Sequence, residues 1–289
     1  MDSISLRAMA KINLGLDVIR RREDGYHEVK MVMQTIRLYD RVMITRAKGE
    51  GIRLTSNYRY LPTDASNLAV RAARLLMDET EIESGLHIDL EKRIPVAAGM
   101  AGGSSDAAAV LVGVNRLLQM DLPMKKLSEI GGKIGADVPY CLVRGTALAE
   151  GIGEKLTKLP PVPECFVLVA KPAVNISTRF VYENLHAEEI TDHPDIDGLV
   201  AAIKKGSFSD MLPCMGNVLE RVSIPAYPVI GELKKQMEDC GAARSLMSGS
   251  GPTVFGLFDS VEACNAARDI IRDRGLAQVV YATVFYQPG

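Results

Sequence analysis

A glycine-rich stretch between a predicted strand and a predicted helix constrains this chain more than any other feature. It runs from Pro95 to Asp106 and reads Pro-Val-Ala-Ala-Gly-Met-Ala-Gly-Gly-Ser-Ser-Asp. Before it, residues 85–91 alternate apolar and polar side chains, which is the period of a half-buried strand. After it, the run Ser104 to Asp106 can accept hydrogen bonds from the first N–H groups of a helix. The stretch therefore connects a strand to a helix.

Residues of this kind in this position suit the binding of phosphate by backbone amides. Gly99, Gly102 and Gly103 allow positive φ and a close approach of the backbone, and a helix N-terminus offers unpaired N–H donors. The spacing matches neither a Walker loop, which needs Gly-Lys-Ser/Thr, nor the dinucleotide pattern G-x-G-x-x-G. On the loop alone, a glycine-rich turn that only caps a buried helix is an open alternative.

Composition narrows the class of protein. The chain has 289 residues, of which 47% are hydrophobic, enough for one large domain or two medium ones. A net charge of −2 and a pI near 6.1 argue against nucleic acid as a main partner. Without a signal-peptide pattern or an apolar run as long as a membrane span, we expect a cytoplasmic protein with no membrane contact. Five cysteines without a C-x-x-C pair indicate neither a disulfide framework nor a zinc site.

Polar side chains follow one face of the predicted first strand, residues 3–17. Lys11 and Asn13 project from the same side, about 7 Å apart at the usual strand rise, so both can meet one ligand. The alternative for Lys11 is a solvated charge on an edge strand.

Asp-Gly at residues 24–25 predicts a chain reversal, and Tyr26 and His27 open the strand that follows. Taken alone, those two rings are more simply explained by packing and by surface exposure.

Asp137 is the candidate carboxylate. A helix beginning near Pro123 should stop at Gly135, which places Asp137 just past the helix end and before a strand near Tyr140. Such an aspartate is usually structural, because it accepts local backbone hydrogen bonds. However, a phosphate loop needs a carboxylate nearby if it transfers a phosphoryl group to a hydroxyl.

The C-terminal part has the pattern of an α+β layer. Prolines cluster at residues 159–163 and suggest a boundary there. Beyond them the predicted order is a strand, several helices, two strands, a helix and a strand, which indicates a ferredoxin-like layer with inserted helices. Ser248 to Pro252 joins two of these strands. It is either a hairpin turn or a place where the backbone approaches a ligand.

Taken in order, five motifs resemble the GHMP superfamily of small-molecule kinases, which includes galactokinase, homoserine kinase, mevalonate kinase and phosphomevalonate kinase. The first two motifs are similar to those of a branch whose acceptor is a cytidine-diphosphate-linked polyol. The motifs are residues 10–16, Asp24-Gly25-Tyr26-His27, residues 95–109, Gly135-Ala136-Asp137-Val138-Pro139 and residues 248–253.

The resemblance implies a two-domain α+β fold. Residues 1–160 would form an N-terminal ATP-binding domain like domain 2 of ribosomal protein S5, and residues 161–289 a C-terminal ferredoxin-like domain. It also implies ATP as phosphoryl donor, Mg²⁺ delivered with the nucleotide, and no dedicated protein metal site.

The resemblance also implies roles for single residues. Asp137 resembles the general base, and Lys11 its electrostatic partner. Asn13, Tyr26 and His27 are similar to acceptor contacts, and Tyr182 falls where the family places a ring that stacks on cytosine. The residues that resemble the ATP phosphate loop are Pro95, Val96, Ala97, Ala98, Gly99, Met100, Ala101, Gly102, Gly103, Ser104 and Ser105.

The loop departs from the family pattern at three positions. Ala97 and Ala101 stand where the family has glycine, and Met100 stands where it has leucine. The side chains of the two alanines disfavour positive φ.

Two rival functions are open alternatives. They are a superfamily kinase with another small acceptor, such as mevalonate or homoserine, and a nucleotide-binding regulatory protein without turnover. A base-recognising pair at Tyr26 and His27 argues against the first rival. The presence of both Lys11 and Asp137 argues against the second.

Overall fold

The computed structural model describes residues 2–288, which divide into two compact units. The first unit comprises residues up to Ala10, Leu38–Val96 and Ala101–Val143. The second comprises Lys11–Arg37, Ala97–Met100 and the residues from Arg144 onward. The glycine-rich stretch therefore supplies residues to both units. The predicted boundary at residues 160–161 stays a prediction.

Strands and helices both occur along residues 2–288, mostly in runs of one kind. The strands are β1 (Ser3–Arg21), β2 (His27–Ala47), β3 (Ile52–Ser56), β4 (Gly85–Glu91), β5 (Thr146–Gly151), β6 (Lys155–Lys158), β7 (Phe166–Lys171), β8 (Arg244–Met247), β9 (Val254–Phe258) and β10 (Val279–Val284). The helices are α1 (Leu68–Thr80), α2 (Gly102–Leu117), α3 (Met124–Ile134), α4 (Val138–Val143), α5 (Thr178–Glu183), α6 (Ile196–Lys205), α7 (Phe208–Met211), α8 (Glu220–Ala226), α9 (Val229–Asp239) and α10 (Val261–Arg274). Two 3₁₀ turns are Ala187–Glu189 and Leu212–Cys214. None of the helices within residues 2–288 is long and apolar enough to cross a membrane.

In the first unit, helices pack on a short mixed sheet. β3 pairs parallel with β4, and β4 pairs antiparallel with the Arg41–Ala47 part of β2. α1 connects the parallel pair and begins at Asn67, whose side chain accepts a hydrogen bond from Ala69 N. α2 approaches the sheet closely because Gly113 has no side chain: a Cβ there would lie 2.5 Å from Ile44 Cδ1. Ten of the 16 residues of α2 are buried, and the helix carries the end of the glycine-rich stretch.

In the second unit, the Val29–Gln34 part of β2 pairs antiparallel with β5, and β5 pairs with β6. A separate four-stranded antiparallel sheet has the order β10-β7-β9-β8. Helices follow its first and third strands in the chain, which is the ferredoxin-like arrangement. The predicted α+β class is therefore confirmed.

The structure extends or corrects three local predictions. The strand expected to open at Tyr26 and His27 is β2, which begins at His27 and continues to Ala47. β5 and β6 were not predicted at all. The expected strand near Tyr140 is the helix α4, whose residues are almost all buried. A short apolar run has no periodicity that separates a buried strand from a buried helix, and Pro139 is well tolerated in a first helical turn.

Candidate active site

The glycine-rich loop adopts left-handed backbone at alternate residues. Ala97 has φ = 51°, Gly99 has φ = 72° and Ala101 has φ = 55°. Positive φ at the two alanines contradicts the expectation from their side chains. Gly102 and Gly103 have no positive φ, because they are the first residues of α2. The conformational demand therefore falls on residues 97, 99 and 101, at a cost of about 1–2 kcal/mol for each alanine.

At the start of α2, no capping side chain occupies the backbone N–H groups. Its N-cap is Ala101, which makes no side-chain capping hydrogen bond. The prediction that Ser104 to Asp106 cap the helix is wrong, because all three residues lie inside it. Ser105 Oγ instead donates to Met9 O at 2.6 Å. The N–H groups of the first helical turn have no acceptor within the helix, and they form a donor set suited to an anion.

A buried charged cluster in the first unit holds both flanks of the loop. Lys92 Nζ donates to the carboxylates of Asp40 and Asp106, the latter at 2.6 Å. Asp40 also accepts from the backbone N–H groups of Arg93 and Ile94, at 2.5 and 2.8 Å. One carboxylate thus fixes the chain that enters the loop. Through Lys92, it is also connected to the helix that leaves the loop.

The pKa values of Asp106 and Lys92 in this cluster are both raised above their ordinary values. Burial raises the pKa of Asp106 to about 7; Lys92 opposes that shift, and the neighbouring charge of Asp40 adds to it. Burial lowers the pKa of Lys92, but the two carboxylates outweigh it and the net direction is upward. A single ammonium group cannot fully compensate two buried carboxylates. Asp106 Oδ1 is also buried without a hydrogen-bond partner among the described residues.

Lys11 lies against the central part of the loop, within the second unit. Its backbone N donates to Met100 O at 3.2 Å, and its Nζ donates to Asn13 Oδ1 at 2.7 Å. The side chains of Lys11 and Asn13 therefore lie together, as the strand alternation predicts. Lys11 is only 5% exposed, so the alternative of a solvated edge charge is wrong.

The turn between β8 and β9 contacts the same part of the loop. Ser248 Oγ donates to Gly99 O at 2.9 Å, and a Cβ on Gly99 would overlap Ser248 O. Gly249 lies close to Lys11, because a Cβ there would be 3.5 Å from Lys11 Nζ. The close approach suggested for residues 248–252 is thus made, and in this structure the partner is the glycine-rich loop.

Asp137 lies in the first unit, directly before α4 rather than at the rim of a strand. Its backbone oxygen accepts from Cys141 N at 3.0 Å. The residue is half-buried, and within its unit no described side chain forms a hydrogen bond or ion pair with its carboxylate. Its role as a base stays a prediction at this point.

Two of the four predicted acceptor contacts, His27 and Tyr182, lie together in the second unit. The rings of His27 and Tyr182 lie 5.1 Å apart between centroids, at an interplanar angle of 41°. Tyr26 is 61% exposed. Burial, and then the charge of Arg21, lower the pKa of His27, which favours the neutral ring with one donor and one acceptor nitrogen. A stack of Tyr26 opposite Tyr182 stays a prediction.

Sequence reasoning missed Asp40 and Lys92. Their only local signal is a charged residue within or just after an apolar strand, which names no partner. Among residues 2–288, no group of three or more His, Cys, Asp or Glu side chains is arranged to hold a metal ion.

Comparison with known proteins places these features in a family. The model described as GHMP kinases N terminal domain matches residues 67–145, and the model described as GHMP kinases C terminal matches residues 199–275. A 4-diphosphocytidyl-2-C-methyl-D-erythritol kinase of Lachnospira eligens is 54% identical, with all of both chains covered. One of Lachnoclostridium phytofermentans is 54% identical over 92% of each chain. A crystal structure of a 4-(cytidine 5'-diphospho)-2C-methyl-D-erythritol kinase is 32% identical, with a TM-score of 0.84, and the match covers 99% of this chain and 100% of that one.

Proposed function

The chain belongs to the GHMP kinases and, within them, to the 4-diphosphocytidyl-2-C-methyl-D-erythritol kinases, and from this premise we propose how its residues divide the work of the reaction. The reaction transfers the γ-phosphoryl group of ATP to the 2-hydroxyl of 4-diphosphocytidyl-2-C-methyl-D-erythritol, in non-mevalonate isoprenoid precursor biosynthesis. The observation that carries the site assignment is the contact of Lys11 with the glycine-rich loop at Met100.

The glycine-rich loop binds the phosphates of ATP through backbone groups. Its alternating left-handed residues form a concave backbone turn, and the uncapped start of α2 adds N–H donors at the positive end of a helix dipole. Mg²⁺ delivered with the nucleotide would supply charge neutralisation, and it would depend on the nucleotide rather than on a cluster of ligands among residues 2–288.

Asp137 and Lys11 divide the chemistry. Asp137 accepts the proton of the acceptor hydroxyl, whose oxygen bonds to the γ-phosphorus as the bond from that phosphorus to the β–γ bridging oxygen breaks and ADP leaves. Lys11 stabilises the negative charge on the oxygens during transfer. Its buried ammonium is oriented by Asn13 and is therefore positioned before the substrate arrives.

Tyr26, His27 and Tyr182 recognise the cytosine. The neutral His27 ring offers one donor and one acceptor to the base edge, and Tyr182, beside it, supplies a face for stacking. Asn13 contacts the erythritol end. A cytoplasmic location and the absence of a nucleic-acid partner stay predictions.

The two rival functions differ from this proposal in what they bind or turn over. A kinase for mevalonate or homoserine has no use for a cytosine site. A regulatory protein would bind ATP without releasing ADP.

Substitution of Asp137, the proposed general base, tests the proposal. Asp137→Asn keeps the size of the side chain and removes the proton acceptor, so turnover should fall by about 10²–10⁴-fold while both substrates still bind. Lys11→Met should also lower turnover. Near-normal turnover of the Asp137→Asn enzyme would assign Asp137 to structure, and loss of nucleotide binding would show that the substitution disturbs more than the base.

A further inference from the structure

Asn217 is a buried amide that none of the roles above uses. It is 7% exposed, and it lies between the 3₁₀ turn Leu212–Cys214 and α8. Its Nδ2 donates to Met247 O at 2.7 Å and to Gly249 O at 2.8 Å. Its Oδ1 accepts from Leu219 N at 3.0 Å. The side chain therefore uses both of its N–H groups on the turn between β8 and β9.

The backbone around Asn217 joins this turn to β1. Leu16 N donates to Gly216 O at 2.8 Å, and Val218 N donates to Leu16 O at 3.1 Å. Leu16 follows Lys11 and Asn13 along the same strand. Asn217 therefore links the strand that carries the proposed catalytic lysine to the turn that lies beside that lysine.

The turn Ser248–Pro252 has two functional neighbours within the second unit. On one side, Ser248 Oγ donates to Gly99 O in the phosphate loop. On the other, Ser250 Oγ lies 2.8 Å from Thr178 Oγ1. Thr178 is the first residue of α5, and Tyr182 lies one helical turn later. One turn thus contacts both the ATP-binding loop and the helix of the acceptor ring.

We propose that Asn217 is a positioning residue that fixes the Ser248–Pro252 turn as a common support for the phosphate loop and for the acceptor-binding helix α5. The proposal rests on the proposed function for the identity of the two ligands. Its physical basis is that the turn consists of small residues, with positive φ at Gly249 and Gly251, so its position depends on hydrogen bonds rather than on the packing of large side chains. The two side-chain N–H groups of Asn217 donate to the carbonyl oxygens of Met247 and Gly249, and loss of the amide would remove both donors.

The central test replaces the amide by a carboxylate of the same shape. Asn217→Asp has no N–H groups and turns its oxygens toward two carbonyls. We expect kcat to fall by about 100-fold, and the dissociation constants of a non-hydrolysable ATP analogue and of the cytidylated acceptor both to rise, because one support serves both sites. Calorimetry measures each binding step without turnover, so the result does not depend on the roles of Asp137 and Lys11.

Two milder variants separate the sides of the turn. Ser248→Ala removes one hydrogen bond to the phosphate loop and should weaken the ATP analogue by about 3–10-fold, with acceptor affinity unchanged. Ser250→Ala removes the contact with α5 and should weaken only the acceptor, to a similar extent. Adding Ser248→Ala to Asn217→Asp should cause little further loss of ATP affinity, because both act through the same turn.

A matched control isolates the general effect of an asparagine-to-aspartate change. Asn115 donates to Leu122 O and accepts from Leu122 N at the far end of α2, so Asn115→Asp loses a similar bond away from the turn and should keep normal kcat. The proposal is overturned if Asn217→Asp binds both ligands normally, or if Ser248→Ala and Ser250→Ala affect the same ligand. If Asn217→Asp does not fold, the two serine variants decide the question. A wild-type protein that binds neither ligand would instead contradict the proposed function.

Discussion

The glycine-rich loop rests on two supports of different chemistry. In the first unit, its flanks are held by the charged cluster of Asp40, Lys92 and Asp106. In the second unit, its centre at Gly99 is held by a neutral serine hydroxyl on the Ser248–Pro252 turn. The charged support buries two carboxylates with one ammonium group and leaves Asp106 Oδ1 without a hydrogen-bond partner among residues 2–288. In the neutral support, both the Nδ2 and the Oδ1 atoms of the Asn217 side chain have hydrogen-bond partners.

The two supports should respond differently to substitution and to pH. A buried ion cluster is costly to form and far more costly to break, because removal of one partner leaves uncompensated charge. It also responds to pH. A neutral hydrogen-bonded turn is cheaper to disrupt, and its loss should affect function more than folding. The following predictions test that contrast, starting with the largest effect.

Lys92→Met should break the charged support. It leaves Asp40 and Asp106 buried without their cation, so the free energy of unfolding should fall by about 3–5 kcal/mol, measured by urea denaturation. Lys126→Met is the control, because Lys126 pairs with Glu79 on the surface, and it should change stability by less than about 1 kcal/mol. If Lys92→Met costs no more than this control, the cluster does not hold the fold.

Asp106→Asn should change the pH dependence of stability. The pKa of Asp106 is raised to about 7 by burial, so the folded protein binds a proton that the unfolded chain has released near pH 4. This contribution to stability is complete below pH 4 and is lost as pH rises to about 7. The variant lacks it, so its stability relative to wild type should improve by about 1–3 kcal/mol between pH 5 and pH 8.

Thermal or urea unfolding of both proteins at the two pH values checks this prediction. His27, whose pKa is lowered, loses stabilisation as pH falls through that lowered pKa. It titrates in both proteins and therefore cancels in the difference. A constant difference across the range would mean that Asp106 does not titrate in this window.

Ala101→Gly should have the smallest effect. Ala101 has φ = 55°, and glycine relieves the left-handed strain while adding freedom to the unfolded chain. We expect a gain in stability of no more than about 1 kcal/mol, with nucleotide affinity unchanged, measured by thermal unfolding and calorimetry. A clear destabilisation would show that the alanine methyl group makes packing contacts that outweigh the strain.

Local patterns predicted much of the fold. β4 has the bounds Gly85–Glu91 that its alternation indicates, and the glycine-rich stretch after it leads into the helix α2. The period of a strand depends on residues close in sequence, so it can be read from a single chain. The backbone of Ala97 and Ala101 could not be read in this way, because tertiary contacts impose it against the preference of alanine.

The supports of the site could not be predicted for a related reason. Asp40 and Lys92 are 52 residues apart, and Asn217 and Gly249 are 32 apart. Hydrogen bonds over such separations leave no local pattern. The resemblance to a family indicated the loop, Lys11 and Asp137, but it named neither the charged cluster nor the amide beneath the turn.

Acceptor discrimination is the most direct test of the central claim, that this kinase recognises a cytidylated polyol. The cytosine supplies binding energy remote from the reacting hydroxyl, so its removal should damage turnover as well as affinity. With ATP and Mg²⁺, we expect ADP release with 4-diphosphocytidyl-2-C-methyl-D-erythritol, little with methylerythritol or its monophosphate, and none with mevalonate, homoserine or galactose. Equal rates with an acceptor that lacks the cytidine would contradict the account.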